Sequence, residues 1–298
     1  MRTESLHRLK FEHENTAETP FCTFRLVESG ESEQHPHLIA DVLSGAIDGF
    51  VARGLFSPQE VSDVLQQLDG LPEELWMKTP FGKNFPRPFA TINDKHASLD
   101  NYYEKLGFLD QLRAKGSSVG EVFERLDNFL RTVGADFSVS VPKNDVKHAP
   151  VVPGTFRFMM PNLGGLFIHC GNLFQQQSQF FYSMLEGDVD MDNQLSYFIV
   201  LQNADQGGEL TLYDMLWKDV QRKDHPENNE YVINRDGNRI YISDMHKATV
   251  RPEVGDILVF HGGPIWHRVE DIIGAVPRIT LGGFLNFSHD RKDLFYWS

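Results

Sequence analysis

The chain has 298 residues with 28 Lys or Arg and 42 Asp or Glu, which gives a formal net charge of −14 at pH 7. This acidic balance argues against a nucleic-acid-binding protein and against a protein that binds anionic membranes, because both need a basic face. Apolar residues at 41% and charged residues at 23% are ordinary for a globular protein, and the length suits one large domain or two small ones.

Cysteine usage and the N-terminal sequence predict a cytoplasmic protein. Cys22 and Cys170 are far apart, and two cysteines do not form a disulfide scaffold. Residues 1–34 are polar and lack the apolar core of a signal peptide, and no apolar run approaches the roughly 20 residues that span a bilayer. We therefore expect a reduced protein, and its charge still permits a small anionic ligand held by one or two local cations.

The first half of the chain is predicted to be helical. A capping box at 57–60 with proline at the first helical position begins one helix, and Gly70 is placed to end it. A second helix is predicted from Ser118, with Glu121 closing its capping box and an apolar stripe that reaches Val133.

A segment rich in proline and glycine, Thr79–Pro88, lies between the two predicted helices. Its composition predicts a loop. Its length and aromatic content make it a candidate lid over a site, and a plain surface loop is the alternative.

The second half of the chain is predicted to consist of short strands. Runs of β-branched and aromatic residues alternate there with Gly, Asn, Asp and Pro, which is typical of a closed sandwich or barrel. Helices precede strands without βαβ alternation, so a doubly wound fold is not expected. The predicted strands are Thr155–Met160, Leu166–His169, Leu195–Leu201, Glu209–Tyr213, Ile257–Phe260 and Ile279–Phe287.

Two histidines and one arginine stand at strand boundaries in a suggestive order. His169 ends an apolar strand, and His267 follows a strand and turn 98 residues later. Arg278 comes eleven residues after His267, two residues before Thr280. Each feature alone is weak, and the ordered set carries the signal.

This layout resembles the iron(II)- and 2-oxoglutarate-dependent oxygenases, in which a His-X-Asp or His-X-Glu motif and a distant histidine bind iron. Two imidazoles and a carboxylate on one face of iron leave three positions for a 2-oxoacid and dioxygen. A later arginine holds the far carboxylate of 2-oxoglutarate through its rigid fork of donors. The resemblance implies a mostly β fold with N-terminal helices around a double-stranded β-helix core, also called a jelly-roll or cupin-like core.

The sequence departs from this pattern where the carboxylate belongs, because Gly171 stands two residues after His169. Three explanations are open: the site is dead, Asp190 or another acid replaces the ligand, or an external anion binds there. In halogenases of this superfamily, Ala or Gly replaces the carboxylate and chloride or bromide binds the iron.

Longer stretches are similar to one subgroup, the free-standing halogenases of hapalindole-type indole alkaloid biosynthesis, which chlorinate an unactivated aliphatic carbon. The similarity runs from about residue 46 and is densest over 155–298. It implies a divergent segment 1–45 and one domain 46–298, with helical support in 46–150 and the jelly-roll core in 151–298. The stretches that carry it begin at His169, Asn193, Gly207, Gly255, His267, Pro277, Gly282 and Tyr296.

The resemblance implies a role for each main site residue and a set of cofactors. His169 and His267 would bind Fe(II), and Gly171 would leave room for the halide. Arg278, with the Thr280 hydroxyl nearby, would bind 2-oxoglutarate. Dioxygen is the remaining cofactor, and the substrate would be a small molecule that needs no carrier protein.

Further roles are predicted for residues around these. Asn172 either contacts the halide or stabilises a turn, and Ser196 either faces the metal or is an ordinary strand serine. Arg157 either reaches 2-oxoglutarate or the substrate, or is a buried structural arginine. Candidates for the substrate pocket, with packing residues as the alternative, are Phe89, Ala90 and Ile92.

Three other functions stay open. One is a hydroxylase of the same superfamily that works without the carboxylate ligand, and another is a non-catalytic binding protein. The third is a nucleotide halogenase, because cations in the divergent loop 81–100 leave an anionic substrate open. These cations, which equally fit a solvated loop, are Lys83, Arg87, Lys95 and His96.

Overall fold

The computed structural model describes residues 21–92, 97–177, 179–187, 189–221 and 231–298. The longer helices lie in the first half of the chain and most strands in the second half, as predicted. The α-helices are α1 (Leu38–Leu43), α2 (Pro58–Asp69), α3 (Ala97–Ala114), α4 (Ser118–Val133), α5 (Gly171–Gln177) and α6 (Gln179–Tyr182). Short 3-10 helices span Ser29–Gln34, Glu73–Leu75, Phe89–Thr91, Trp217–Asp219 and Ile242–Asp244.

The fold is mostly β, with strands distributed from residue 24 to residue 297. The strands are β1 (Phe24–Glu28), β2 (Gly49–Arg53), β3 (Met77–Thr79), β4 (Gly82–Phe85), β5 (Ser138–Ser140), β6 (Thr155–Met159), β7 (Leu166–His169), β8 (Val189–Gln202), β9 (Gln206–Gly207), β10 (Leu210–Leu216), β11 (Tyr231–Ile233), β12 (Arg239–Tyr241), β13 (Lys247–Val250), β14 (Ile257–Phe260), β15 (Ile265–Val269), β16 (Ile272–Ile273), β17 (Arg278–Ser288) and β18 (Asp293–Trp297).

Two sheets organise the molecule. Within the described residues, ten strands form the larger sheet in the order β1-β2-β14-β8-β17-β6-β4-β3, with β18 paired to β17 and β5 to β18. The smaller sheet has the order β13-β10-β15-β7. Two further pairs, β11 with β12 and β16 with β9, lie outside these sheets.

The larger sheet is buried on both faces. Along β8, Tyr197 and Ile199 belong to a core shared with α2 and α4, whereas Phe198 and Val200 belong to a core shared with the smaller sheet. Because successive side chains of a strand point to opposite faces, helices cover one face and the smaller sheet covers the other. This sandwich places β7 and β15 against the middle of the larger sheet.

The first predicted helix is confirmed at both ends. The Ser57 hydroxyl accepts from the Glu60 backbone N–H, and the Glu60 carboxylate accepts from the Ser57 backbone N–H. Arg125, beside Glu60 at 2.5 Å, is the main cause of a Glu60 pKa lowered to about 2. Gly70 follows the last helical residue as predicted.

The second predicted helix begins at Ser118 as expected, but its capping residue differs from the prediction. Its N-cap is Ser117, whose hydroxyl accepts from the Gly120 N–H at 3.1 Å. The proposed capping box from Ser118 to Glu121 is therefore wrong. The apolar stripe up to Val133 is buried as predicted.

The predicted loop Thr79–Pro88 contains a β-hairpin made by β3 and β4. Strand β4 also pairs with β6 of the larger sheet. At Gly82, which has φ +149°, an added Cβ would lie 2.0 Å from the Phe158 carbonyl oxygen. Tertiary pairing with β6 thus makes a strand of a segment whose composition predicts a loop, and the glycine permits the close approach.

Residues before the predicted domain boundary contribute to the larger sheet. Strand β1 pairs in parallel with β2 over Phe24–Glu28 and Gly49–Arg53. The boundary at residue 45 stays a prediction. Both cysteines are buried, and the cytoplasmic location expected from them also stays a prediction. In the described part of the chain, no helix is both long and apolar enough to cross a membrane.

We expect Ser57→Ala to lower the free energy of unfolding by about 1 kcal/mol, because the first N–H groups of α2 lose their cap. Chemical denaturation followed by circular dichroism measures this change. Ser62→Ala, at an exposed position inside the same helix, is the matched control and should shift stability by less than about 0.5 kcal/mol. Equal effects of the two substitutions would contradict the capping role.

Candidate active site

Two histidines face each other across neighbouring strands of the smaller sheet. Strands β7 and β15 are antiparallel, and His169 is the direct partner of His267 in their register. The centroids of the two rings lie 4.4 Å apart. Residues 98 positions apart in sequence are therefore brought together, as predicted.

Both imidazoles are held in the same orientation and the same tautomer. The Nδ1 atom of His169 lies 2.6 Å from the Phe167 carbonyl oxygen, and the Nδ1 atom of His267 lies 2.8 Å from the Ile265 carbonyl oxygen. A carbonyl oxygen only accepts, so each ring carries its proton on Nδ1 and its lone pair on Nε2. Metal-binding histidines are commonly fixed in this way.

The environment keeps His267 neutral. Burial lowers its pKa well below the ordinary value, and the neighbouring His169 lowers the pKa further. The Phe260 ring meets the His267 ring edge-on at a centroid distance of 4.9 Å. A neutral imidazole with a fixed Nε2 lone pair is the form that binds a transition metal.

Gly171 lies beside the histidines in a crowded place. Its N–H donates to the Gly262 carbonyl oxygen at 2.8 Å. A Cβ added to Gly171 would lie 2.9 Å from Gln194 Oε1 and 3.0 Å from the Gly263 Cα. The position thus lacks a ligand side chain, and its surroundings also resist one.

Among the residues that the structure describes, the two histidines have no third side-chain ligand beside them. Within the described residues, no three His, Cys, Asp or Glu side chains are grouped so that they could hold a metal ion. The alternative ligand Asp190 is engaged elsewhere, 2.6 Å from Arg291 and accepting from the Asn193 amide at 2.8 Å. The explanation in which Asp190 replaces the missing carboxylate is therefore wrong.

Two arginines, a buried Arg278 and a half-buried Arg157, stand on neighbouring strands of the larger sheet. Arg278 begins β17, and Arg157 lies on β6 directly opposite Thr280 of β17. Among the described residues, neither guanidinium lies within ion-pair distance of a carboxylate. The Arg278 guanidinium lies over the Phe198 ring, 5.0 Å from its centroid.

Burial disfavours the charged form of both guanidinium groups. It lowers the pKa of Arg157, and it lowers the pKa of Arg278 to about 10, with a further contribution from Arg157. The Arg157 guanidinium donates to the Ser298 hydroxyl at 3.1 Å. Buried cations are costly without an anionic partner, so this pair is suited to bind a carboxylate ligand.

A cavity of about 250 Å³ between the two sheets joins the histidines to the arginines. Seven of the residues predicted for the site line it: Arg157, His169, Gly171, Ser196, His267, Arg278 and Thr280. Most of the remaining wall is apolar. The sequence analysis did not assign these apolar residues, which include Met159, Leu166, Phe174, Leu210, Phe260, Val269 and Phe284.

Asn172 does not line this cavity. It lines a neighbouring polar cavity of about 500 Å³ together with Gln175 and Tyr182. Its backbone N–H donates to the Gly263 carbonyl oxygen at 3.0 Å, which holds the loop after β14 against α5. Helix α5 begins at Gly171, so the next side chain turns away from the histidines. The predicted contact of Asn172 with the halide is thus not supported.

The three residues predicted for the substrate pocket lie in the hydrophobic core. Phe89, Ala90 and Ile92 are buried, and none of them lines the cavity. The Phe89 ring packs edge-on against Tyr102 and Trp297, at centroid distances of 5.6 and 6.3 Å. This packing against α3 and β18 does not support a place for them in the cavity, and their role in a substrate pocket stays a prediction.

The cations predicted near an anionic substrate are occupied locally. Lys83 Nζ lies 4.0 Å from the centroid of the Trp76 ring, and Arg87 Nε donates to the Thr91 hydroxyl at 2.9 Å. Neither residue lines the cavity. Lys95 and His96 lie outside the described residues.

The fold and the site together define a mostly β protein with two facing histidines and a cationic, otherwise apolar cavity. The family model described as carrier-protein-independent halogenase WelO5 matches residues 23–298, and the chain belongs to this family. The predicted resemblance to free-standing halogenases is confirmed. The family description also agrees with the prediction of an enzyme that acts on a small molecule without a carrier protein.

Solved structures with a similar fold are distant in sequence. An N-substituted L-amino acid dioxygenase from Burkholderia ambifaria, in complex with alpha-KG, is 16% identical over 87% of this chain and 90% of its own, with a TM-score of 0.47. A 2OG-Fe(II) oxygenase-family oxidoreductase from Burkholderia pseudomallei is 12% identical over 92% and 99%, with a TM-score of 0.41. HygX from Streptomyces hygroscopicus, with nickel and 2-oxoglutarate bound, is 15% identical over 84% and 91%, with a TM-score of 0.40. No curated protein matches the chain.

We expect His169→Ala and His267→Ala each to lower the affinity for Co(II) by more than about 100-fold, because each removes one fixed Nε2 donor. Anaerobic calorimetric titration of the metal-free protein measures this affinity. His246→Ala is the control, since His246 is half-exposed beside Asp214 and lies outside the cavity. Co(II) binding that survives loss of either cavity histidine would place the metal elsewhere.

Proposed function

We propose that this protein is an Fe(II)- and 2-oxoglutarate-dependent halogenase that chlorinates or brominates an unactivated aliphatic C–H bond of a free small molecule. The observation that carries the proposal is the glycine at position 171. It stands beside two facing histidines in a chain that belongs to a halogenase family. A setting in natural-product biosynthesis, such as alkaloid halogenation, is part of the proposal and is supported by sequence resemblance alone.

His169 and His267 would hold the iron through their Nε2 atoms, and the donor set fits this role. Both rings are neutral-tautomer donors fixed by backbone carbonyl groups, and imidazole nitrogen suits Fe(II). When bound, iron with 2-oxoglutarate and dioxygen supplies the oxidising chemistry that an unactivated C–H bond requires. The chain supplies position, charge and the exclusion of water.

Arg278 would pair with the far carboxylate of 2-oxoglutarate, with the Thr280 hydroxyl as a further donor. Both residues line the cavity on β17. Arg157 faces the same space from β6 and adds a second positive charge. A dianion in this low-dielectric cavity offsets the cost of burying two guanidinium groups, so cofactor and arginines stabilise each other.

The halide would take the coordination position that a carboxylate occupies in other members of the superfamily. Gly171 offers no side-chain ligand, and Asp190 is paired with Arg291 on the far side of β8. Ser196 lines the cavity, and we propose that it faces the reacting groups. The apolar wall around them would keep bulk water away from the reacting groups.

The finer fold assignment and the domain organisation belong to the same proposal. The two facing sheets around one cavity support a double-stranded β-helix, or jelly-roll, core over residues 151–298. We propose that this core and the helices of residues 46–150 form one domain. The packing of α2 and α4 on the larger sheet supports a single unit.

The nucleotide halogenase and the hydroxylase are the competing functions. The nucleotide hypothesis depends on the cations of residues 81–100, and Lys83 and Arg87 are engaged away from the cavity. A hydroxylase would use the same two histidines with water in place of halide, so the response to halide distinguishes a hydroxylase from the proposed halogenase.

Anaerobic reconstitution tests the proposal. We expect the protein with Fe(II) and 2-oxoglutarate to show a metal-to-ligand absorption band that shifts when chloride is added. Absence of the band would indicate a non-catalytic binding protein, and a band indifferent to chloride would indicate a hydroxylase. With dioxygen and a panel of small molecules, mass spectrometry should then reveal a product with the chlorine isotope pattern.

We expect Gly171→Asp to abolish halogenation, because a carboxylate would occupy the halide position. Product analysis by mass spectrometry measures this loss. Gly171→Ala is the matched control, since its Cβ presses on Gln194 and Gly263 in the same way but brings no ligand. We expect the alanine variant to retain chlorination at a reduced rate. A chlorinated product from the aspartate variant would show that halide does not bind at this position.

A further inference from the structure

Gln194 lies directly behind Gly171, one of the residues that line the cavity. It lies on β8 two residues before Ser196, and its side chain is fully buried. Its Oε1 and Cδ atoms lie 2.9 and 3.2 Å from the point where a Cβ of residue 171 would be. The Gln194 amide therefore occupies the space into which a ligand side chain would grow.

Hydrogen bonds hold this amide in place from one side. Gln194 Oε1 accepts from the Gln175 amide at 2.7 Å and from the Tyr182 hydroxyl at 3.4 Å. The backbone carbonyl oxygen of Gln194 accepts from the Gly263 N–H at 2.8 Å. The amide oxygen is thus satisfied, and the side chain has little freedom to move.

The nitrogen of the Gln194 amide is in a different situation from its oxygen. Gln194 Nε2 is buried and, among the described residues, has no hydrogen-bond partner. A buried donor without a partner is costly, so such a group directly behind a residue of the cavity wall favours a ligand that accepts hydrogen bonds. Nε2 is bonded to the same Cδ that lies beside Gly171, so any such acceptor lies close to position 171.

We propose that the Gln194 amide donates to the halide and positions it beside Gly171, an inference that rests on the proposed function. A halide is a spherical anion that only accepts hydrogen bonds, and a charged acceptor makes the stronger bond. A neutral amide holds the anion without adding charge to a cavity that already contains two arginines. Gln194 is thus a positioning residue for halide and does not contact the substrate.

Two substitutions at Gln194 distinguish the effect of its N–H donor from the effect of its side-chain shape. Gln194→Met keeps a side chain of similar length and removes the donor. Gln194→Glu keeps the shape of glutamine and still accepts from Gln175, but it presents a carboxylate where the N–H was. Gln67→Met makes the same chemical change at an amide that accepts from the Val119 N–H between α2 and α4, away from the cavity, and serves as the control.

The measurement is the anaerobic titration of each Fe(II)- and 2-oxoglutarate-loaded protein with sodium chloride, and separately with sodium bromide, at constant ionic strength. The shift of the absorption band gives the halide dissociation constant. Relative to wild type and Gln67→Met, we expect chloride to bind at least ~10-fold more weakly to Gln194→Met, because a hydrogen bond to a charged group is lost. We expect ~100-fold or greater weakening in Gln194→Glu, because like charges repel.

The affinities for Fe(II) and 2-oxoglutarate should change by less than about 2-fold in both variants. Wild-type halide affinity in either Gln194 variant would overturn the inference and leave the proposed function intact. Equal loss of iron, 2-oxoglutarate and halide binding would also overturn it, since that result assigns Gln194 a structural role. A wild-type protein whose absorption band ignores halide would instead overturn the proposed function, and with it this inference.

Discussion

The register between β7 and β15 is the constraint on which the site depends. It sets His169 opposite His267 and aims both rings into the space between the sheets. Because strand side chains alternate with a period of two, a slip of one residue would turn one histidine to the other face. The same backbone supplies the carbonyl groups that fix both Nδ1 protons. Strand pairing therefore sets the placement of the two Nε2 atoms, and the backbone of each strand sets their protonation state.

The binding of anionic ligands also depends on the charges that line the cavity. The chain carries a net charge of −14, yet its cavity wall contains the buried Arg278 and the half-buried Arg157, and neither guanidinium pairs with a described carboxylate. Salt at about 0.1 M largely screens the interaction between exposed charges that lie more than about 10 Å apart, whereas buried charges in close contact are screened much less. Anionic ligands therefore respond to Arg157 and Arg278 inside the cavity, and the acidic surface has little influence on their binding. This local cationic character offsets the overall charge of the protein.

The sequence predicts the site residues whose place depends on their position in a strand. It does not predict side-chain positions that depend on tertiary packing. His169 ends β7 and Arg278 begins β17, whereas His267 lies inside β15, and their spacing predicted a common site that the structure assembles. Asn172 was predicted from its closeness to Gly171, but the turn into α5 reverses its direction. The core position of Phe89 depends on contacts with Tyr102 and Trp297, far along the chain, which no local pattern encodes. Helix α3 lay outside the predictions, although its buried Leu99, Tyr102, Leu106 and Leu109 have helical spacing.

Glycine at position 171 has two physical meanings, and the structure relates them. It removes a metal ligand, and it admits the close packing of Gln194 and Gly263 against the backbone. A site that had only lost its carboxylate would keep the room that the carboxylate once filled. Here a buried amide, anchored by Gln175, has taken the room next to the Cα atom. A carboxylate returning to this position would have to displace that amide, whereas a monatomic anion bound farther out would not. The packing around Gly171 therefore favours a small external anion over a side-chain ligand.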